Sequence, residues 1–426
     1  MTTVATDIER NPVPAEVAAG AQRAACLKAS LLLHGVAVDE HIEERLRRDG
    51  HWIVVRSEQL RLELHLPDGT IVTPPVLRTT SSENTWRLAA SRGGAFELRR
   101  GAERHPVYLP IRPSFYDQQT GSGRRIGDFA QVYGSALVLG AAQACGYSIA
   151  GGACRFCRVG SRGESERTFG VTAYEVAEAV RLAFRERHLQ FVFLAAASFD
   201  ADDGGIGEME PLVKAIRRHA SALVLAAMHP PRTLRWIDHA YAIGVDGISF
   251  NLELHDLANL ERHLPGRARY IGRSRYLQAL RHAAKIFPRG AVWTELLLGA
   301  SATAATLEFA LSLYDLGVVP FFVPVLPETN PRPRSLPFRA SEAEVNALLH
   351  GLLNAREDLA SNARWLPQWP HLIGPQDIVR GTSNRWSIES RSRTSRLELF
   401  VLRNLARLRR SLRVRDLDEH DLDPSA

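Results

Sequence analysis

Six short apolar segments recur between residues 135 and 326, and nearly all of them precede a helical pattern. Continuous hydrophobicity, rather than alternation with polar residues, is typical of parallel strands that are covered on both faces. A strand followed by a helix, repeated six times, predicts a parallel α/β fold, either open or barrel-like. The six segments are SALVLGAAQA (135–144), FVFLAAAS (191–198), ALVLAAMH (222–229), GISFNLEL (247–254), AVWTELLLG (291–299) and VVPFFVPVL (318–326).

Two capping boxes mark helix starts in this region. In a capping box a hydroxyl side chain and a glutamate three residues later satisfy each other's backbone amides. Thr172 and Glu175 fit this pattern, and so do Ser341 and Glu344. We therefore expect a helix to begin at each of these two positions.

The flanking regions have a different character. Residues 14–48 have a helical pattern, and LRLELHLPDGTIVTPPV (60–76) alternates around a Pro-Asp-Gly turn, which predicts a hairpin. After 360 the chain is irregular until an arginine-rich amphipathic helix, SRLELFVLRNLARLRRSL, whose leucine and phenylalanine face we expect to pack against the protein. We place an N-terminal α+β domain at 1–115, the α/β domain at 130–360 and a C-terminal extension at 361–426.

Composition and hydropathy limit which compartment and which kinds of partner we expect. No stretch approaches eighteen uninterrupted apolar residues, and the first residues lack the features of a signal peptide, so we expect a cytoplasmic protein without a membrane partner. The net charge is +6, and only Lys28, Lys214 and Lys285 are lysines. The charge alone would suit nucleic acid, but no helix-turn-helix, RNA-recognition or zinc-finger pattern accompanies it, so we expect no nucleic-acid partner.

Three of the four cysteines lie together in the glycine-rich stretch ACGYSIAGGACRFCRVG. Cys145, Cys154 and Cys157 have the spacing C-x8-C-x2-C, whereas Cys26 is distant. They follow the first predicted strand, and loops at the carboxyl ends of strands carry the functional groups of α/β barrels. The sequence therefore predicts a metal or redox site in this loop.

Three interpretations of the cysteines compete. A structural zinc site needs a fourth ligand, such as His229. A thioredoxin-like pair would use Cys154 and Cys157 but give Cys145 no role. A 4Fe–4S cluster on three thiolates leaves one iron open for another ligand, which explains the number of cysteines. The spacing alone leaves zinc and the cluster equally open.

The segment resembles the radical S-adenosylmethionine (radical SAM) superfamily. The triad ends in cysteine, any residue, aromatic, cysteine and follows the first strand of a six-fold βα repeat, although the usual spacing there is C-x3-C-x2-C. The chain is most similar to the biotin-synthase-like branch that includes the nitrilase-cluster-associated radical SAM family. This similarity spans roughly 105–330 and includes FNLELHD, RYLQALRHAAKIFPRG, TELLLGASATAATL and GVVPFFVPVLPETNPRPRS.

The resemblance implies a fold and an activity. The fold would be a partial (β/α)6 barrel that holds a 4Fe–4S cluster on Cys145, Cys154 and Cys157, with S-adenosyl-L-methionine on the open iron. The enzyme would cleave SAM reductively with electrons from a flavodoxin or ferredoxin. The resulting 5′-deoxyadenosyl radical would abstract hydrogen from a small molecule, such as a specialised metabolite. A non-catalytic zinc- or cluster-stabilised scaffold and a nucleic-acid-modifying radical SAM enzyme are the alternatives.

The resemblance also assigns SAM contacts. Ser249, Asn251 and Glu253 alternate along the fourth strand, so period two places them on one face, where relatives bind the ribose. The other implied contacts lie in the cluster loop, after the second strand, at the helix after the fourth strand, and on the last two strands. They are Phe156 beside the adenine, the main chain of Ala196, Ala197 and Ser198 at the amino group, Arg275 at the carboxylate, and Gly299, Val323 and Pro324 around the adenine.

Glu295 and His229 are the candidate catalytic residues. A carboxylate inside AVWTELLLG is costly to bury unless it is paired or used. Facing the barrel interior, Glu295 could hold a basic or hydroxyl-bearing substrate group, and facing the helices it would belong to an ion pair. His229 ends the third strand, with a purely structural histidine as the alternative. The sequence contains no corrinoid-binding D-x-H-x-x-G motif.

Overall fold

The structure is a computed structural model that describes most of the chain. The described residues are 15–51, 54–56, 59–78, 85–91, 95–140, 147, 150–155, 170–195, 202–325, 336–355, 365–379 and eight positions between 400 and 411.

The N-terminal part is built on a five-stranded sheet of order β6-β1-β7-β8-β9, in which β1 runs parallel to β6 and β7, and β7 to β9 are antiparallel. The predicted hairpin is confirmed, because β4 and β5 pair antiparallel across the turn at Gly69. The elements are α1 (Ala15–His34), β1 (Val36–Ala37), α2 (Glu40–Arg48), β2 (Val54–Arg56), β3 (Gln59–Arg61), β4 (Leu64–His65), β5 (Ile71–Val72), β6 (Val76–Leu77), β7 (Trp86–Ala90), β8 (Phe96–Arg100) and β9 (Glu103–Val107).

A second sheet of seven strands has the order β10-β11-β12-β13-β14-β15-β16. The six predicted strands are confirmed as β11 to β16, which are all parallel. The short β10 was not predicted and pairs antiparallel with β11. These strands are β10 (Ala130–Tyr133), β11 (Ala136–Leu139), β12 (Phe191–Ala195), β13 (Leu223–Ala227), β14 (Gly247–Ser249), β15 (Val292–Leu297) and β16 (Val318–Val323).

Helices follow the parallel strands, so the chain is a mixed α/β protein. Both predicted capping boxes are present, at Thr172 and at Ser341. Short 3₁₀ helices lie at Ser114–Asp117 and Ile126–Asp128, and the α-helices are α3 (Ala173–Glu186), α4 (Ile206–His219), α5 (Arg235–Ile243), α6 (Leu257–His263), α7 (Pro265–Tyr270), α8 (Arg273–Ile286), α9 (Thr303–Asp315), α10 (Glu342–Ala355) and α11 (Pro375–Val379).

The seven-stranded sheet is apolar on both faces, and the two faces pack against different partners. Val192 and Leu194 of β12 belong to the main core with the helices, whereas Phe191 and Phe193 belong to a second cluster on the opposite face. This division follows from the period-two geometry of a strand. We call the second cluster the floor; its buried members are Ala136, Phe191, Leu223, Leu225, Trp293, Val319, Phe321, Leu366, Trp369 and Leu372.

The floor shows that the sheet is curved. The ring centroids of Phe193 on β12 and Trp293 on β15 are 6.3 Å apart. Two strands separate β12 from β15, so in a flat sheet with a strand spacing of about 4.8 Å they would lie about 14 Å apart. The ring of Trp369 lies 5.0 Å from that of Phe193. The floor therefore occupies the concave face, and the segment 365–379 closes it.

A buried ion pair ties the N-terminal part to that segment. Lys28 on α1 is fully buried, and its Nζ donates to both carboxylate oxygens of Asp377 at 2.9 Å and to the Trp369 carbonyl at 2.8 Å. Gln368 Nε2 and the Gly374 amide also donate to Asp377. Every acceptor position of this buried carboxylate is therefore used.

The C-terminal helix is attached by an arginine. Arg410 donates to the Tyr241 carbonyl at 2.7 Å and to the buried Asp246 carboxylate at 2.8 Å. The exposed large apolar side chains of this helix are Phe400, Val401, Leu405 and Leu408. The expectation that its leucine and phenylalanine face packs against the protein is therefore wrong for these positions. None of the helices in the described parts of the chain is long and apolar enough to cross a membrane.

Candidate functional site

Above the floor, towards the carboxyl ends of the strands, the concave face becomes polar. Glu295 lies two residues beyond Trp293 in the regular strand β15, so its side chain is on the concave face, where it is half-buried. Ser249 is fully buried at the end of β14 and donates a hydrogen bond to the Asn251 side chain. Polar side chains from two neighbouring strands therefore meet at this edge of the sheet.

Glu253 lies beyond the end of β14, after an interruption in the pairing with β15. The Thr294 hydroxyl accepts from the Leu252 amide at 3.0 Å and donates to the Phe250 carbonyl at 2.8 Å, in place of strand pairing. Pairing resumes where the Glu253 amide donates to the Glu295 carbonyl at 2.8 Å. Glu253 has a φ of 67°, a left-handed conformation that is costly for a residue other than glycine. The surrounding hydrogen bonds hold it there.

The Glu253 carboxyl is buried beside a buried arginine. Arg267 Nη1 lies 3.6 Å from Glu253 Oε1 and donates to the Asn251 carbonyl at 2.5 Å. Arg267 Nε is buried and has no hydrogen-bond partner among the described residues. Burial raises the pKa of Glu253 to about 8; the Arg267 charge opposes this rise, and the Glu295 carboxylate adds to it. The site therefore holds a fixed cation beside a carboxyl group whose burial favours the uncharged form.

Cys154 is the one predicted cluster ligand within the described residues. It is 5% exposed and lies in an apolar cluster with Leu254, Leu260, Leu264, Leu297 and Leu336. Burial acts against the charge of Arg267, but the nearby Tyr276, Cys154 and Glu253 raise the pKa of that arginine well above its usual value. The thiol is therefore within electrostatic range of the guanidinium. The other loop and strand-end predictions, Cys145, Phe156, Cys157, Ala196, Ala197 and Ser198, lie outside the described residues.

His229 contacts a tyrosine from the cysteine loop. The Tyr147 hydroxyl lies 3.2 Å from His229 Nδ1, and the two rings are perpendicular with centroids 5.2 Å apart. Burial, and then the Arg267 charge, lowers the pKa of His229 to about 3. Burial also raises the pKa of Tyr147. Both side chains are therefore neutral at physiological pH.

The remaining predicted residues are more scattered. Arg275 on α8 is half-buried and has no hydrogen bond or ion pair with any residue that the structure describes. Gly299 has a φ of 92°, and a Cβ there would lie 2.5 Å from the Ala340 amide nitrogen, so its open side faces protein backbone. Val323 is half-buried in the same apolar cluster as Cys154, and Pro324 is buried next to it.

The sequence interpretation did not include Arg267 or Tyr147. Four arginines lie within PGRARYIGRSR, and a single sequence does not tell which of them is buried. The available signal was Pro265, because proline favours the first position of a helix and Arg267 lies in the first turn of the helix that begins there. Tyr147 lies inside the long gap between Cys145 and Cys154, where nothing in the pattern distinguished it.

Comparison with known proteins adds little to this description of the site. No protein-family model and no curated protein matches the chain. Among solved structures it is similar to the apo, selenomethionine-labelled form of OxsB, a cobalamin-dependent S-adenosylmethionine radical enzyme. The sequence identity is 14% and the TM-score 0.31, and the match covers 52% of this chain and 31% of that chain. The chain thus spans about a third of the length of that protein, and its function has to be argued from its own site.

Proposed function

We propose that this chain is a radical SAM enzyme that abstracts hydrogen from a small organic molecule, and that its curved sheet is a partial (β/α)6 barrel. The observation that carries the proposal is the buried thiol of Cys154, which packs with Leu297 at the carboxyl ends of parallel strands and lies within electrostatic range of Arg267. Active sites of parallel α/β folds lie at these ends. Cys145 and Cys157 would complete the ligand set.

The described residues fit a 4Fe–4S cluster and SAM. Iron–sulfur clusters bind thiolates, and a guanidinium beside the thiol compensates the negative charge that binding requires. The orphaned Nε of Arg267 is a buried donor that needs an acceptor, such as the SAM carboxylate. Arg267 therefore replaces Arg275 in the assignment that we propose.

The cluster and SAM together would supply a carbon-centred radical that removes hydrogen from the substrate. The chain's own residues bind, orient and exclude water. Burial favours the protonated form of Glu253, and in that form it can donate a hydrogen bond to a ribose hydroxyl and also accept one. Glu295 faces the same space and would bind the polar group of the substrate. The floor closes the other end to water.

The first experiment tests the cluster. Protein reconstituted anaerobically with iron and sulfide should be brown and contain about four irons per chain. Replacing Cys145, Cys154 or Cys157 by alanine should remove the iron. Cys26→Ala is the matched control, because Cys26 lies on α1, whose partners are α10 and α11, and should keep the iron. A colourless protein that binds zinc instead would refute the proposal and favour a scaffold.

The second experiment tests SAM. The reduced, reconstituted protein should release 5′-deoxyadenosine slowly without any substrate. Arg267→Met should weaken SAM binding at least about tenfold while Arg275→Met, the matched control, should not, because losing a charge-assisted hydrogen bond costs about 1.5–3 kcal/mol. Equal affinities in the two variants would remove Arg267 from the SAM site.

A further inference from the structure

The gap between Cys145 and Cys154 contains a buried anchor. Tyr147 is 1% exposed and lies two residues after Cys145 in the sequence. Its ring is perpendicular to that of His229 and stacked on that of Tyr270, with centroids 5.2 Å and 6.5 Å apart. A buried aromatic side chain with contacts on both sides fixes the backbone that carries it.

Two glycines allow this loop to lie directly on the junction of α6 and α7. The Gly266 amide donates to the Gly152 carbonyl at 3.0 Å, and the Gly152 amide donates to the Tyr147 carbonyl at 2.6 Å. A Cβ on Gly152 would lie 2.7 Å from Gly266 Cα, and a Cβ on Gly266 would lie 2.4 Å from the Gly152 oxygen. Both distances are shorter than side chains tolerate, and the obstructing atoms are backbone atoms.

Glycine is therefore required at these two positions because the backbones approach too closely for a side chain, and not because of the backbone conformation. Neither residue has a positive φ, so an alanine could adopt either backbone conformation. Gly266 is the second residue of α7, where alanine would favour the helix more. Beyond Gly152, the Arg155 amide donates to the His263 carbonyl at 3.0 Å, so Cys154 lies between two points of attachment to the same junction.

We propose that Gly152 and Gly266 are positioning residues whose contact, together with the Tyr147 anchor, sets the place of Cys154. The role of this contact rests on the proposed function. If Cys154 is a cluster ligand, the contact makes the eight-residue gap between Cys145 and Cys154 compatible with a three-cysteine cluster site. In this position Cys154 packs with Leu260 of α6 and lies within electrostatic range of Arg267.

The test measures thiol reactivity in protein without cluster. N-ethylmaleimide labelling is followed by peptide mass spectrometry, with Cys26 in AACLK as the internal reference. Gly152→Ala and Gly266→Ala should each speed labelling of Cys154 by about tenfold or more, because the clash opens the loop locally. Cys26 labelling and the melting temperature should change little. Gly140→Ala is the matched control, since its nearest atom would be 3.7 Å away, and should leave Cys154 protected.

Unchanged Cys154 labelling in the two folded variants would overturn the proposal. Where both variants fail to fold, hydrogen exchange of the wild-type protein decides. The amides of Gly152, Arg155 and Gly266 should exchange slowly, and fast exchange at these three would overturn the proposal. The iron content of the variants is a separate measurement. Wild-type protein that takes up no iron but protects Cys154 would refute the cluster and leave the docking intact.

Discussion

Replacing Lys28 by methionine should destabilise the protein far more than a typical change of a lysine. Methionine keeps most of the side-chain volume, so the effect comes from the lost charge and hydrogen bonds. Asp377 would lose both bonds from the ammonium group and keep those from Gln368 and Gly374, while the Trp369 carbonyl would lose its donor. Removing one partner of a buried ion pair costs about 3–5 kcal/mol, because the other charge stays buried.

The measurement is urea unfolding at pH 7, followed by tryptophan fluorescence and circular dichroism, whose transitions should coincide. Lys214→Met is the matched control. Lys214 pairs with Glu210 but is 57% exposed, so the free energy of unfolding should fall by less than about 1 kcal/mol. Lys28→Met combined with Asp377→Asn should recover part of the loss, because no unpaired charge stays buried and the amide oxygen can still accept from Gln368 or Gly374. The reasoning fails if Lys28→Met is as stable as Lys214→Met.

Three further predictions concern ionisable side chains of the site and of the C-terminal helix attachment. Glu253 has a folded pKa of about 8, above its usual 4.5, so its contribution to stability is complete below pH 4.5 and is lost as the pH rises towards 8. The wild type should therefore lose about 2 kcal/mol between pH 6.5 and 8 that Glu253→Gln does not lose, and parallel stability curves would contradict this. His229 has a folded pKa of about 3, below its usual 6.5, so its contribution is complete above pH 6.5 and is lost as the pH falls. Relative to His229→Asn, the wild type should lose about 2 kcal/mol between pH 6.5 and 5, and an equal loss in both proteins would refute the shift. Asp246→Asn should weaken the attachment of Arg410, so trypsin should cleave the C-terminal helix faster than in the wild type. Asp238→Asn is the control, because Asp238 pairs with His282 and not with the C-terminal helix. Equal cleavage of the two variants would contradict the attachment.

The six parallel strands could be predicted from the sequence because both of their faces are apolar. The same property concealed which residues face the concave side, since Val192 and Phe193 are equally hydrophobic. Residues 365–379, which close the floor, were predicted only as irregular, because their partners lie on strands far away in the chain. The pairing of Lys28 with Asp377 spans 349 residues and leaves no local pattern.

The parts of the candidate site that could be predicted are those where a reactive or charged residue type is unusual at its position in the sequence. Three cysteines in a loop and a glutamate inside a strand are unusual locally, so the sequence alone drew attention to Cys154 and Glu295. Arg267 is one of several neighbouring arginines, and its importance comes from burial, which only the fold reveals. The alternation of side chains along a strand could not predict the left-handed conformation of Glu253. The strand pairing is interrupted before this residue, where the Thr294 hydroxyl forms hydrogen bonds with the Leu252 amide and the Phe250 carbonyl instead.

The aromatic floor also has a kinetic consequence. Phe193, Trp293 and Trp369 close the concave face below the polar layer, so a molecule bound above them has to leave by the side from which it came. Two ligands stacked in such a blind well cannot exchange independently, because the deeper one waits for the shallower one. If the chain turns over two ligands there, steady-state kinetics should be ordered, with the last molecule to bind being the first to be released. The product released last binds the empty well, so its inhibition should be competitive only against the deeper ligand.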